Sequence, residues 1–93
     1  MIQVVAVTIQ RRDLTSIGIP PQFATRDGMQ RVCDTLATTA AKAVAIGQNP
    51  QVVEDALFVL RGGNVSLSSV ADKTQERNTI VDAFKTALKA LIS

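Results

Sequence analysis

The sequence contains no histidine and only one cysteine, Cys33. Histidine is the commonest general base and metal ligand, and with one cysteine a zinc ion would depend on carboxylates almost alone. A lone cysteine also cannot form an intrachain disulfide, which argues against a small secreted scaffold and favours a reducing compartment. From these absences we predict that the protein is not an enzyme and uses no metal and no cofactor.

Aromatic residues are also scarce, since the sequence has no tryptophan, no tyrosine and three phenylalanines. Apolar residues nevertheless make up 46% of the chain and are mostly Ala, Val, Ile and Leu. This is enough apolar surface to offset the entropy lost on folding. A chain of 93 residues fits one domain. We therefore predict a single domain over 1–93 in which small side chains let helices approach closely.

Long hydrophobic runs are missing as well. No apolar segment reaches the roughly 18 residues that suggest a membrane span, and the first residues lack the pattern of a cleavable signal peptide. We expect a cytoplasmic protein, or a part of a virion or of a secreted assembly.

The charge balance shows only a small basic excess, because ten Lys and Arg residues face eight Asp and Glu residues and give +2. The basic residues are scattered, whereas a nucleic-acid-binding domain usually has a denser basic stripe. Residues 66–74 match a helix-turn-helix weakly, since Gln75 stands where glycine is common and Glu76 where an apolar residue is usual. A protein partner is therefore favoured over nucleic acid.

The N-terminal segment, residues 1–10, is rich in β-branched side chains and shows no helical periodicity. This composition predicts a β-strand. Both alternating sets of side chains are apolar, which is typical of a strand covered on both faces. Residues 11–26 follow as a connector, because Gly18, Pro20 and Pro21 interrupt regular structure.

Three helices are predicted, over about 27–46, 50–61 and 72–92, because apolar residues recur there at steps of three and four. This spacing places the apolar side chains of each helix on one face. The predicted fold is therefore mainly α, with an N-terminal strand followed by a helical core over 27–93. The residues expected in the core are Val32, Leu36, Val53, Leu57, Leu60, Ile80, Val81, Phe84, Leu88 and Leu91.

Residues suited to capping flank the predicted helices, and they set the expected helix ends. They are Thr25 or Asp27, Gly47, Asn49 followed by Pro50, Gly62 or Gly63, and Asp72, which with Gln75 resembles a capping box.

A β-hairpin is the alternative interpretation of residues 56–70. Residues 56–60 and 65–70 are both apolar enough to form strands, and 61–64 would make a four-residue loop between them. That interpretation gives an α+β fold with the order β-α-β-β-α. The helix over 50–61 is favoured because both of its ends carry capping signals.

The remaining candidates for chemistry have simpler structural interpretations. Cys33 is expected on the apolar face of the first long helix, beside Val32 and Leu36, where an inert core thiol is the usual outcome. Glu54 and Asp55 point about a hundred degrees apart on a helix. Their place early in that helix favours an interaction with the helix dipole over catalysis.

The segment 76–93 contains the residues Arg77, Asn78, Thr79, Ile80, Val81, Phe84 and Lys85. This pattern resembles the C-terminal helix of small type III secretion rod and needle subunits, including the flagellar rod-base adaptor. The resemblance is confined to this segment and has the specificity of an amphipathic helix, since residues 1–21 match nothing in those proteins. It implies an amphipathic helix in a subunit of a larger assembly.

We expect a structural or assembly subunit, of a phage or secretion-related kind, that self-associates as a homo-oligomer. Its N-terminal strand would complete a sheet in the same chain or in a neighbouring one. The alternative is a small monomeric adaptor or inhibitor that binds a larger protein through its arginines, and a DNA-binding regulator is the third possibility. The interface candidates are Val4, Val5, Val7, Ile9, Arg11, Arg12, Arg26 and Arg31.

Overall fold

The structure is a computed structural model, and it describes residues 7–63 and 73–93. Within these ranges the chain forms helix α1 (Asp13–Ser16), a 3₁₀ turn (Pro21–Phe23), and helices α2 (Arg26–Ala45), α3 (Pro50–Leu60) and α4 (Thr74–Ile92). The prediction of a mainly helical fold is confirmed. The three longer helices begin and end within about two residues of their predicted bounds, which is the usual uncertainty of a helix end.

Helices α2 and α3 begin where a side chain satisfies a free backbone amide. The Thr25 hydroxyl accepts a hydrogen bond from the Gly28 amide at 3.0 Å, and the Asn49 side chain accepts one from the Gln51 amide at 2.9 Å. Pro50 occupies the first position of α3, where its missing N–H removes no helical hydrogen bond.

Helix α3 ends in a Schellman motif. The Gly63 amide donates to the Phe58 carbonyl and the Gly62 amide donates to the Val59 carbonyl, both at 2.9 Å. Gly62 has a φ of 93°, a left-handed conformation that glycine adopts without steric cost. Gly47 has a φ of 102° just after α2. These glycines therefore fix where the two helices stop, as their positions in the sequence predict.

Helix α4 holds the fold together, because it packs against both α2 and α3, whereas α2 and α3 share few contacts. It runs antiparallel to α2, since Ile46 at the end of α2 shares a groove with Thr79 near the start of α4. Likewise, Asp34 in the first half of α2 shares a groove with Ala90 near the end of α4.

The buried core joins all of these helices with the connector. Leu91 is only partly buried and packs against the core. The buried apolar residues of the described chain are Leu14, Ile17, Ile19, Val32, Leu36, Ala40, Val52, Val53, Ala56, Leu57, Leu60, Ile80, Val81, Phe84 and Leu88.

The N-terminal strand predicted over 1–10 is not supported. Residues 1–6 lie outside the described part of the chain, and 7–10 form no regular secondary structure. The Gln10 amide donates to the Asp13 carboxylate at 2.9 Å, which turns the chain into α1 directly after this segment. Val7 and Ile9 are half-buried and pack against the helical core.

The segment 11–26 is more regular than the predicted connector, because it contains α1, the 3₁₀ turn and the first residue of α2. Leu14, Ile17 and Ile19 anchor it in the core. The Asp13 carboxylate lies 3.9 Å from Arg61 Nε, and the Arg61 guanidinium donates to the Thr8 carbonyl at 3.3 Å. These contacts hold Thr8 and the start of the connector against the end of α3.

The alternative hairpin interpretation is wrong for 56–60, because these residues belong to α3. Ala56, Leu57 and Leu60 are buried at helical spacing, which a strand could not achieve on one face. Residues 65–70 lie outside the described part of the chain, and so does Asp72 of the predicted capping box. Helix α4 begins at Thr74 without a side-chain cap.

Across 7–63 and 73–93, none of the helices has both the length and the apolarity needed to cross a membrane.

Candidate protein interaction surface

Cys33 is half-buried, which corrects its predicted place in the core. The buried stripe of α2 passes through Val32, Leu36 and Ala40 at steps of four residues. Cys33 follows Val32 by about 100° around the helix, so it lies at the edge of that stripe.

Glu54 and Asp55 lie beyond the first turn of α3, which contains no acidic residue. The helix dipole acts mainly within the first and last turns, so it explains this acidic pair only weakly. Arg61 is the residue that follows α3, and it contacts the connector as described above. The part of the chain that the structure describes contains no group of three or more potential metal ligands.

The apolar interface candidates are only partly available to a partner. Val4 and Val5 lie outside the described residues. Val7 and Ile9 are half-buried, and together with Phe58 and Arg61 they line a groove of about 200 Å³ beside α3. Phe58 is 47% exposed there.

The four arginine candidates lie in two parts of the chain. Arg11 and Arg12 are exposed in the turn before α1, and Arg26 is exposed at the first position of α2. Arg31, also on α2, places its guanidinium carbon 5.5 Å from the centre of the Phe23 ring. This cation–π contact links α2 to the 3₁₀ turn and gives Arg31 a structural role.

A second surface, which sequence patterns alone do not single out, runs along one side of the antiparallel pair α2 and α4. We call it the α2–α4 face. Two grooves of about 240 and 370 Å³ meet on it and share Thr39 and Lys42. The residues that line it are Asp34, Thr35, Thr38, Thr39, Lys42, Ala43, Ile46 and Gln48 from α2 and its end, and Thr79, Ile80, Ala83, Ala87 and Ala90 from α4.

The α2–α4 face exposes the large apolar side chain of Ile46, which is 81% accessible to solvent. The same groove contains Ala43, Ile80 and Ala83. No other large apolar side chain of the described residues is exposed to this extent. An apolar side chain beside an apolar groove favours a contact that would cover both.

Two of the α2 threonines on this face, Thr35 and Thr39, donate their hydroxyl groups to their own helix. Thr35 donates to the Arg31 carbonyl at 2.8 Å, and Thr39 donates to the Thr35 carbonyl at 2.9 Å. A hydroxyl that is bonded to its own helix needs no partner in an interface. With the alanines of α4, these residues make a surface of short side chains that another helix could approach closely.

Asp34 and Lys42 provide the two charges of the α2–α4 face. Both are exposed and lie two helical turns apart with Thr38 midway between them. Asp34 accepts a hydrogen bond from the Gln30 side chain at 2.8 Å on one carboxylate oxygen. Among the described residues, no ion pair of Asp34 or Lys42 is found within 4.0 Å.

A third groove, of about 340 Å³, lies between the end of α1 and the last turns of α4. Its lining includes Lys85, Leu88, Lys89 and Ile92, and Ile92 is 38% exposed. This groove therefore combines apolar surface with two positive charges.

Comparison of the chain with models of known protein families, with characterised proteins and with solved structures gives no match.

Proposed function

We propose that this protein is a non-enzymatic assembly subunit that acts through protein–protein contacts and self-associates. The observation that supports this proposal most directly is the exposure of Ile46, at 81%, beside the apolar groove of the α2–α4 face. Burying a side chain of this size stabilises a contact by about 1.5–3 kcal/mol relative to leaving it in water.

The composition of the α2–α4 face supports the same proposal. Thr38, Thr39, Ala83 and Ala87 are short and lose little side-chain entropy when a partner covers them. They also allow two helices to approach closely, which increases the number of dispersion contacts. A helical partner therefore fits this surface better than an extended one.

The test is the association state of the full chain, measured by light scattering after size exclusion and by sedimentation equilibrium over a wide concentration range. We expect the wild type to form oligomers. Ile46→Ser should weaken association by about tenfold or more, because it removes the large exposed apolar side chain of the α2–α4 face.

Ile92→Ser is the matched control, because Ile92 is also an exposed isoleucine at the end of a helix but lies outside the α2–α4 face. It should leave association unchanged. A wild-type chain that stays monomeric at every concentration contradicts the proposal.

The monomeric adaptor is the second candidate, and the exposure of Arg11, Arg12 and Arg26 favours it. In that case the chain stays monomeric and binds an acidic surface of a larger protein. Reversing the charge of these three arginines should then abolish binding while leaving the helical content unchanged. A DNA-binding regulator would instead show affinity for DNA that falls steeply with salt.

A further inference from the structure

We infer that the α2–α4 face pairs with the same face of a second copy, around a twofold axis that passes near Thr38. In this pairing Asp34 of each copy faces Lys42 of the other. The inference rests on the proposed self-association and specifies the partner and the register of that contact.

The positions of the charges define the register. Asp34, Thr38 and Lys42 follow one another at steps of four residues, so they lie within about 80° around α2, with about 6 Å along the helix between successive residues. Two antiparallel copies of α2 centred on Thr38 place residue 34 of one copy at the height of residue 42 of the other. Because the contact is twofold, each pairing occurs twice, so Asp34 of each copy faces Lys42 of the other and two opposite-charge pairs form.

The Asp34 carboxylate and the Lys42 ammonium are both able to bind a partner. Asp34 uses one carboxylate oxygen for the Gln30 amide, so the other oxygen is available to a partner. Lys42 is exposed and lines both grooves of the face. Each ion pair would form at the rim of the helix contact, where it fixes register and partner choice more than it adds affinity.

The neighbouring positions are compatible with the same register. Arg31 falls opposite Ala45 of the second copy, one helical turn from its Lys42, but the Arg31 guanidinium is held over the Phe23 ring of its own chain. Gln30 falls opposite the exposed Ile46. The exposed or half-buried alanines of α4, Ala83, Ala87 and Ala90, leave room for the second copy of α2 beside them. The paired faces then form a four-helix arrangement of α2 and α4 from each copy.

The other two grooves are less suited to a twofold pairing of charges. The groove beside Lys85 and Lys89 has no carboxylate among its lining residues, so a twofold contact there would bring positive charges together. The groove beside Phe58 contains an opposite-charge pair, Glu54 and Arg61, but Arg61 is already engaged with Asp13 and Thr8 within its own chain. Charge complementarity between copies thus favours the α2–α4 face.

A charge-swap experiment on the full chain tests the inference. Asp34→Lys alone and Lys42→Asp alone each place like charges at both contacts, and we expect each to raise the dimer dissociation constant by about tenfold or more. The double variant restores opposite charges in reversed order and should return the dissociation constant close to the wild-type value. Far-UV circular dichroism checks that the exposed substitutions leave the helices intact.

Mixing the two single variants gives a second, more specific readout. An Asp34→Lys chain and a Lys42→Asp chain are complementary to each other at both contacts, so the heterodimer should form at lower concentration than either homodimer. Asp82→Lys and Lys89→Asp are matched controls, because both residues are exposed on α4 and outside the α2–α4 face. Neither control should change dimerisation.

The outcomes separate this inference from the proposed function. If the wild type dimerises but the single variants dimerise equally well, or if the double variant and the mixed chains fail to recover, the twofold register is wrong and self-association stands. If the wild type never dimerises, both the register and the proposed function are wrong.

Discussion

At Gly28 the connector passes so close to helix α2 that no larger residue fits. A Cβ atom at this position would collide with the carbonyl oxygen of Phe23 and come within 2.8 Å of its Cα. Backbone atoms cannot move aside as a flexible side chain can. The same glycine donates its amide to the Thr25 hydroxyl that caps α2, so one residue both bonds to the cap and leaves room for the 3₁₀ turn.

We predict that Gly28→Ala destabilises the fold by about 1–3 kcal/mol, the typical cost of forcing an extra group into a packed site. Without the collision, alanine would stabilise the helix by roughly 1 kcal/mol relative to glycine. A loss of stability in this variant would therefore show that the collision outweighs the helix propensity of alanine. The measurement is the free energy of unfolding in urea. Arg26→Ala, an exposed substitution in the same turn, should change stability little, and a stabilised Gly28→Ala variant would show that the turn is free to move.

Individual burial follows from helical spacing where the spacing is unambiguous. Val32 and Leu36 are completely buried, and Phe84 is buried in α4 in the same way. Cys33 shows the limit of this reasoning, because a residue beside the stripe is equally apolar in sequence but its exposure depends on how wide the packed face of α2 is. Gly28 shows another limit, since its role depends on a chain crossing that no local pattern encodes.

At the scale of the element, capping chemistry was the most informative part of the sequence. The Asn49-Pro50 pair and the glycines at 47 and 62 mark helix ends that the structure places at those residues. Sequence patterns do not predict the short elements of the connector. Helix α1 has only four residues, too few for a periodic pattern, and it is held by Leu14 in the core and by the Asp13 carboxylate.

We predict that Asn49→Ala lowers the free energy of unfolding by about 0.5–2 kcal/mol, because it leaves the Gln51 amide at the start of α3 without its acceptor. Asn49→Asp keeps an acceptor oxygen and should lose much less. Gln51→Ala is a matched control, since the bond uses the Gln51 backbone only. Urea midpoints measured at constant slope check the prediction, and equal losses for Asn49→Ala and Gln51→Ala would contradict it.

At the scale of the whole molecule, the sequence shows which faces are apolar but not which helices are neighbours. The α2–α4 face exists because α4 runs antiparallel to α2 and places Ala83, Ala87 and Ala90 beside its threonines. Nothing within either helix predicts that arrangement. For the same reason Asp34 and Lys42 are unremarkable in sequence, and they become a candidate pair only when both are seen on one exposed face.

If folded chains dimerise through the α2–α4 face and unfolded chains do not, the melting temperature must rise with protein concentration. In the range where the dimer predominates, we predict that a tenfold increase in concentration raises the wild-type melting temperature by about 2–5 °C. Asp34→Lys should shift this dependence to concentrations about tenfold higher or more, whereas the charge-swapped double variant should return it to the wild-type range. High salt should weaken it in the wild type, since the two ion pairs are exposed and screened. Calorimetry over a hundredfold range of concentration measures all of these, and a constant wild-type melting temperature would mean that the chain unfolds as a monomer.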